Sequence, residues 1–118
     1  MTDFSNFQNE KKFLILKFYE DARGILGGVI SKMVLYGSYA RGDYQENSDY
    51  DIMVFTKLTN KEELRQSERI LFDLAFDYFM EYDIEISIIL MNENHFDEWV
   101  EDLPFYKNVA KEGVLING

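Results

Sequence analysis

Leu35-Tyr36-Gly37-Ser38-Tyr39-Ala40-Arg41-Gly42-Asp43-Tyr44-Gln45-Glu46-Asn47-Ser48-Asp49-Tyr50-Asp51-Ile52-Met53-Val54-Phe55 decides the reading of this chain. An apolar run ends in Gly-Ser, a polar segment bearing glycines follows, and Asp49 and Asp51 open a second apolar run. If that run is a strand, the two aspartates leave the same face, because side chains alternate with a period of two. Carboxylates held side by side repel each other and need a cation to be stable as a charged pair. Hard oxygen ligands of this kind suit Mg²⁺, which takes one or two protein carboxylates and fills its shell with phosphate oxygens and water. Gly37-Ser38 stands where a backbone can come close to a phosphate chain. The stretch reads as a site for metal-assisted phosphoryl or nucleotidyl transfer.

Working outward, the whole sequence bounds what such a site can belong to. Its 118 residues are enough for one compact domain, so residues 1–118 are expected to form a single unit. Hydrophobic residues make up 47%, with ten Phe and eight Tyr, which supports a real core and argues against disorder. The absence of cysteine excludes disulfides, thiolate catalysis and Cys-ligated zinc. No signal-peptide layout and no apolar run of membrane-spanning length are visible, so a soluble cytoplasmic protein is expected. The formal net charge is -10, a poor match for the phosphate backbone of a nucleic acid, so direct nucleic-acid binding is not expected. A basic protein partner, a homo-oligomer, or a nucleotide carried in with its metal all stay open.

Flanking patterns place the stretch in an α/β chain. Ser5-Asn6-Phe7-Gln8 has capping-box spacing, and a helical pattern follows with a broad apolar face from Phe13 to Leu26, ended by Gly27-Gly28. A first strand is expected over 32–36, a short helical turn near Ser38, and a second strand over about 50–56. Thr59-Asn60 offers two capping signatures for a helix to about Glu81, apolar on so much of its circumference that burial is expected. Asp83 to Leu90 alternates as a strand, with Asp83, Glu85 and Ser87 on one face and Ile84, Ile86 and Ile88 on the other. A short helix over 94–103 and another from Pro104 to about Glu112, stopped by Gly113, complete the pattern. This order describes one α/β domain.

Transfer enzymes usually place a third carboxylate on a neighbouring strand. Glu85 is the candidate, better placed than Asp83, which lies where such residues commonly cap or turn; both could also be a solvated sheet face. Arg41 could reach a phosphate or pair with Asp43 or Glu46. Ser48 fits a turn cap before Asp49. Lys61, Arg65 and Arg69 share one helical face of the kind that is usually solvated. His95 forms no ligand cluster and reads as a surface residue, and Trp99 as core or partner surface.

Gly37-Ser38-x-Ala40-Arg41-Gly42 followed by Ser48-Asp49-x-Asp51 and an apolar strand resembles the signature of the minimal nucleotidyltransferases. These belong to the DNA polymerase beta-like superfamily. The segment Pro104 to Val114 is also similar to a tail often seen in bacterial members, so the resemblance spans nearly the whole chain. It implies a polymerase beta-like palm, an α/β (α+β) fold with a small mixed sheet of about three or four strands and helices packed on it. It implies that Gly37, Ser38, Arg41 and Ser48 meet the nucleotide, and that Asp49, Asp51 and Glu85 hold two Mg²⁺ ions. It further implies transfer of a nucleoside monophosphate, AMP from ATP, to a hydroxyl acceptor. Many members carry aspartate where Glu85 stands, and the longer side chain moves the oxygens outward. Larger members bind the acceptor with a second domain, whereas small bacterial ones resemble antitoxins paired with a helical HEPN-type protein that some of them adenylylate. The alternative implied is a silent binding module that acts as a stoichiometric inhibitor. Transfer to a small antibiotic would need an acceptor pocket that the pattern does not provide.

Overall fold

The computed structural model describes residues 1–116. Its strands are β1 (Thr2–Asp3), β2 (Ile30–Tyr36), β3 (Tyr50–Thr56), β4 (Ile86–Asn92) and β5 (Val114–Ile116). Its helices are α1 (Lys12–Leu26), α2 (Ser38–Arg41), α3 (Lys61–Tyr82), α4 (Glu93–Trp99) and α5 (Pro104–Glu112), with 3₁₀ turns at Phe4–Asn6 and Gly27–Val29. The sheet is mixed, in the order β1-β5-β2-β3-β4. β3 runs antiparallel to β2 and parallel to β4. The parallel step needs a long crossover, which α3 supplies.

Strand alternation sorts the interior into two layers. Met33, Leu35, Ile52 and Val54 face α1 and α3, where they meet Ile15, Phe18, Leu71 and Tyr78. Val34, Tyr36, Met53 and Phe55 face the other way, onto Phe96 of α4 and Val109 of α5. Both faces of β2 and β3 are therefore covered, as expected for strands that read as near-continuous apolar runs. Burying a side chain such as Ile52 or Phe18 contributes about 1.5–3 kcal/mol each.

Several boundaries differ from the sequence expectation, each for a local reason. Ser5 does not cap α1: Asp3 Oδ1 accepts the Ser5 N–H at 3.0 Å and closes the 3₁₀ turn, so α1 starts only at Lys12. Of the two capping signatures before α3, Asn60 is the cap, accepting the Glu63 N–H at 3.0 Å. Asp83 belongs to the end of α3 rather than to a strand: its φ of 55° is left-handed and its N–H donates to the Phe79 carbonyl. Aspartate tolerates that region better than most residues. The sheet has five strands, not three or four, because β1 and β5 pair with each other and β5 joins β2. Such short strands carry no alternation to read.

α3 is also not mostly buried. Leu71, Ala75 and Tyr78 face the core, but Phe72, Phe76, Phe79 and Met80 are exposed. The cause is position: α3 lies over β4, the last strand of the sheet, so nothing flanks its outer side among the described residues. Its inner side is tied to α1 by a polar contact, in which the buried Tyr78 hydroxyl donates to Asp21 Oδ2 at 2.6 Å and Lys17 Nζ donates to the same oxygen at 2.9 Å. The bonds from Tyr78 and then Lys17 hold the Asp21 carboxyl below the ordinary range. A depressed carboxylate stabilises the fold above its unfolded pKa, and that contribution is lost as pH falls through the folded value. Tyr78→Phe is expected to cost about 1 kcal/mol in urea unfolding at pH 7, with the penalty narrowing as pH drops below about 4. A penalty that does not vary with pH would show that the bond to ionised Asp21 is not the stabilising element.

Candidate active site

Topology brings three chain segments to one end of the sheet. β2 ends where β3 begins because the two are antiparallel, and β4 begins beside them because it is parallel to β3. In the register Tyr36 stands opposite Asp51, and Asp51 opposite Ser87. Tyr50 pairs with Ile86 and donates its N–H to the Glu85 carbonyl at 2.8 Å, which sets Asp49 beside Glu85. Asp51 and Ser87 point to the α4/α5 side, opposite to Tyr50, Ile52, Ile86 and Ile88, which join the α1/α3 core.

The turn after β2 closes over this end. Gly37 has φ 75° and ψ -156°, a region essentially confined to glycine. A Cβ there would overlap Asp51 Oδ2. The missing side chain thus gives Asp51 its place against the turn, and α2 starts at Ser38 directly afterwards. The first N–H groups of a helix have no partner within it, so they are free to meet an anion. A stack of three rings holds the following loop: Tyr39 lies 3.8 Å from Tyr50 and 4.4 Å from Tyr44, centroid to centroid. The Tyr50 hydroxyl donates to Asn9 Oδ1 at 2.9 Å and fastens the stack to the start of the chain.

The expected site residues fall into distinct roles. Asp49 and Glu85 meet, and the bond to Asp49 followed by that group's charge holds the exposed Glu85 carboxyl above the ordinary range. Asp51 is also raised, first by burial and then by the Asp49 charge, with Arg41 offsetting part of it. Arg41 is engaged in ion pairs, at 3.2 Å to Asp43 and 3.3 Å to Glu112 of α5. Ser48 Oγ accepts the Gln45 N–H at 2.9 Å and so caps the turn before Asp49. Asp83 caps α3 and is not on the strand face. Among the described residues no three Asp, Glu, His or Cys side chains converge tightly enough to grip a metal ion: Asp49 and Glu85 face each other while Asp51 leans toward Gly37.

Two residues of the site carried no role in the sequence reading. Ser87 Oγ donates to Asp49 Oδ2 at 2.8 Å and fixes that carboxylate. Its place on the Glu85 face was visible from alternation, but a serine on a strand announces no partner. Tyr36 is pushed up to about 12 by burial and then by the Asp51 charge, and its ring meets Phe105 edge-on at 5.6 Å. The donor set fits a hard divalent cation: every group is a carboxylate or hydroxyl oxygen, and the Asp49 charge adds to burial in raising Asp51 and to the bond from Asp49 in raising Glu85, a repulsion that a bound cation relieves.

Known proteins resemble this chain over most of its length. The family described as nucleotidyltransferase domain matches residues 15–116. A Methanocaldococcus jannaschii protein named as a putative protein adenylyltransferase is 32% identical over 108 residues, covering 92% of this chain and 98% of its own. The crystal structure of a putative nucleotidyltransferase from Sulfolobus solfataricus superposes with a TM-score of 0.58 at 20% identity, covering 87% of this chain and 76% of that one. A toxin-antitoxin crystal structure with AMP-PNP gives a TM-score of 0.54 at 18% identity, covering 87% of this chain and 73% of that one.

Two substitutions separate space from charge at this site. Gly37→Ala is expected to lower the unfolding free energy by about 1–3 kcal/mol, through a strained backbone and the overlap with Asp51. Asp51→Asn should do the opposite. An acid whose folded pKa is raised disfavours the folded state once it is ionised, so removing the charge raises the thermal midpoint at neutral pH, and the gain fades as pH falls to where Asp51 is protonated anyway. A lower midpoint for Asp51→Asn at pH 7 would overturn this account of the site's electrostatics.

Proposed function

The chain belongs to the nucleotidyltransferase domain family, and from that premise we propose that it moves AMP from ATP onto a hydroxyl of a separate protein. The observation that carries this is that the Gly37-Ser38 turn with Asp51 against it, and the neighbouring Asp49–Glu85 pair, lie at one end of one sheet. The adenylyl group and the protein acceptor are supported by the relative named as a putative protein adenylyltransferase. The separate partner and the adenine nucleotide are in keeping with the toxin-antitoxin structure that holds AMP-PNP. A helical HEPN-type protein is the partner that the sequence resemblance suggests.

In this reading Gly37 keeps the backbone low enough for the triphosphate to lie against the turn. Ser38 donates its hydroxyl and N–H to the terminal phosphates. Asp49, Asp51 and Glu85 would hold Mg²⁺, which supplies neutralisation of the charge on the phosphoryl oxygens. Ser87 keeps Asp49 oriented, and Arg41 braces α2 against α5 while moderating the charge on Asp51. Glu85, exposed beside Asp49, is the carboxylate that would take the proton of the acceptor hydroxyl. The acceptor oxygen then bonds to the α-phosphorus, the bond from that phosphorus to the bridging oxygen breaks, and pyrophosphate leaves with the electron pair.

The test incubates the protein with Mg²⁺, ATP labelled at the α-phosphate and the protein encoded beside it. Label is expected on the partner, abolished by EDTA, and lowered at least about 100-fold by Asp49→Asn, Asp51→Asn or Glu85→Gln. A tight complex that forms without label, unchanged in those three variants, would instead assign the chain the role of a stoichiometric inhibitor.

A further inference from the structure

Glu85 borders two openings of opposite character. One is a polar hollow of about 360 Å³ that also meets Glu10, Glu46 and Asp83, four carboxylates against the single cation Lys11. The other is a cleft of about 510 Å³ between α3 and β4, which meets Asp49 and Glu85 at one end. Phe72, Phe76 and Phe79 follow at intervals of three or four and form a stripe along the side of α3 that borders this cleft. They are 48%, 60% and 40% exposed, and Ile86 and Ile88 of β4 stand on the opposite wall.

That wall also carries hydrogen-bonding groups. The Glu85 carbonyl accepts the Tyr50 N–H and so points toward β3, and backbone groups alternate from one edge of a strand to the other. Ile86 and Ile88 therefore turn their N–H and C=O groups to the outer edge of β4, where no strand pairs with them among the described residues. An open edge of this kind offers donors and acceptors side by side.

Charge and position together select the occupant. Asp49 and Glu85 are the charged groups on the cleft, and in the transfer reaction proposed above the metal neutralises both. Asp73 and Asp77 of α3 are exposed but do not border it. What remains is phenyl rings on one wall and unpaired amides on the other, in a volume ordinary for a small-molecule site. A flat, uncharged ring with hydrogen-bonding edges matches both walls, since every nucleobase has a face that stacks on an aromatic side chain. The Gly37-Ser38 turn, the two aspartates and Glu85 follow one another across the ends of β2, β3 and β4, roughly 10 Å in all. A nucleotide with its terminal phosphates at the turn brings its nucleoside to the β4 side. There the aromatic cleft suits the base, and the four-carboxylate hollow is left as the approach for the acceptor.

We propose that the cleft between α3 and β4 receives the nucleobase, with its face on Phe72 and Phe76 and its edge against the backbone of Ile86 and Ile88. Adenine fits that edge: its exocyclic amine donates to a carbonyl, and the neighbouring ring nitrogen accepts from an N–H. The assignment rests on the transfer reaction proposed above, and it adds which residues hold the base and how they read it.

Calorimetric binding of ATP and of tripolyphosphate, each with Mg²⁺, tests the assignment without any transfer step. Tripolyphosphate carries the phosphates and no nucleoside. Phe72→Ala with Phe76→Ala is expected to weaken ATP by at least about fivefold and to leave tripolyphosphate unchanged. Both rings are exposed, so thermal melts are expected to show the fold intact. N6,N6-dimethyl-ATP, which has no exocyclic N–H to donate, is expected to bind the parent at least about fivefold more weakly than ATP does. A double variant that binds ATP as the parent does, or that loses tripolyphosphate in equal measure, would overturn the proposal. So would a variant that keeps its ATP affinity but no longer labels the partner, because the acceptor would then own the cleft. Equal affinity for ATP and its dimethyl analogue would remove the β4 edge from base recognition. Tripolyphosphate that fails to bind the parent breaks the phosphate site of the transfer reading, and adenosine, which carries no phosphate, then reads the cleft by itself: binding lost in the double variant upholds it, and binding kept overturns it.

Discussion

β3 is paired to neighbours of opposite sense, and the site depends on that pairing. One row of the sheet runs Tyr36, Asp51, Ser87, and every polar group of the site is placed by its offset from this row. A slip of one residue between β3 and β4 would turn Asp51 into the α1/α3 core and Ile52 out of it to the α4/α5 side. The cost of such a slip keeps the register, because Ile52 and Val54 are fully buried. Core packing therefore positions the carboxylates: the apolar half of each strand fixes where the polar half points.

The same placement leaves the site electrostatically unfavourable by itself. Burial and then the Asp49 charge raise Asp51, the bond to Asp49 and then its charge raise Glu85, and the basic side chain acting on Asp51 is already committed to Asp43 and Glu112. In the proposed reaction a triphosphate arriving here would meet carboxylates and bring more negative charge, in a chain whose formal net charge is -10. Neutralisation has to come with the ligand. Gly37 belongs to this compromise, since a side chain there would displace the Asp51 carboxylate that its absence admits.

The sequence revealed the parts of the fold in which local and tertiary preferences agree. β3, α2 and α5 follow from alternation and from glycine and proline placement, whereas the approach of Asp51 to the Gly37 turn becomes visible only in the structure. The reading failed where two local signals compete. Ser5 and Asp3 can both cap a turn, and nothing in their spacing says that Asp3 captures the Ser5 N–H first. Asp83 belongs equally well to an alternating strand or to a left-handed helix end, and the length of α3 settles it. β1 and β5 exist only because they find each other, so no property of Thr2–Asp3 or Val114–Ile116 taken alone announces them. In the site, Ser87 and Tyr36 act through partners on other strands, and a partner on another strand is invisible until the register is known.

α3 gives the most instructive difference. Its apolar residues cover so much of the circumference that burial was the natural reading, and two of its sides are in fact used differently. Leu71, Ala75 and Tyr78 are consumed by the core; Phe72, Phe76, Phe79 and Met80 are left over because the sheet stops at β4. Four large apolar groups along one side of a helix form an extended patch rather than the scattered single exposures that need no explanation. Their neighbours in the stripe argue against a mere excess of hydrophobic residues, since Lys61, Arg65 and Arg69 continue the same line with charge. The basic side chains lie at the start of the helix, and the exposed rings lie nearest Asp49 and Glu85 with the acids Asp73, Asp77 and Glu81 beside them, so the outer face of α3 is cationic at one end and apolar and acidic at the other.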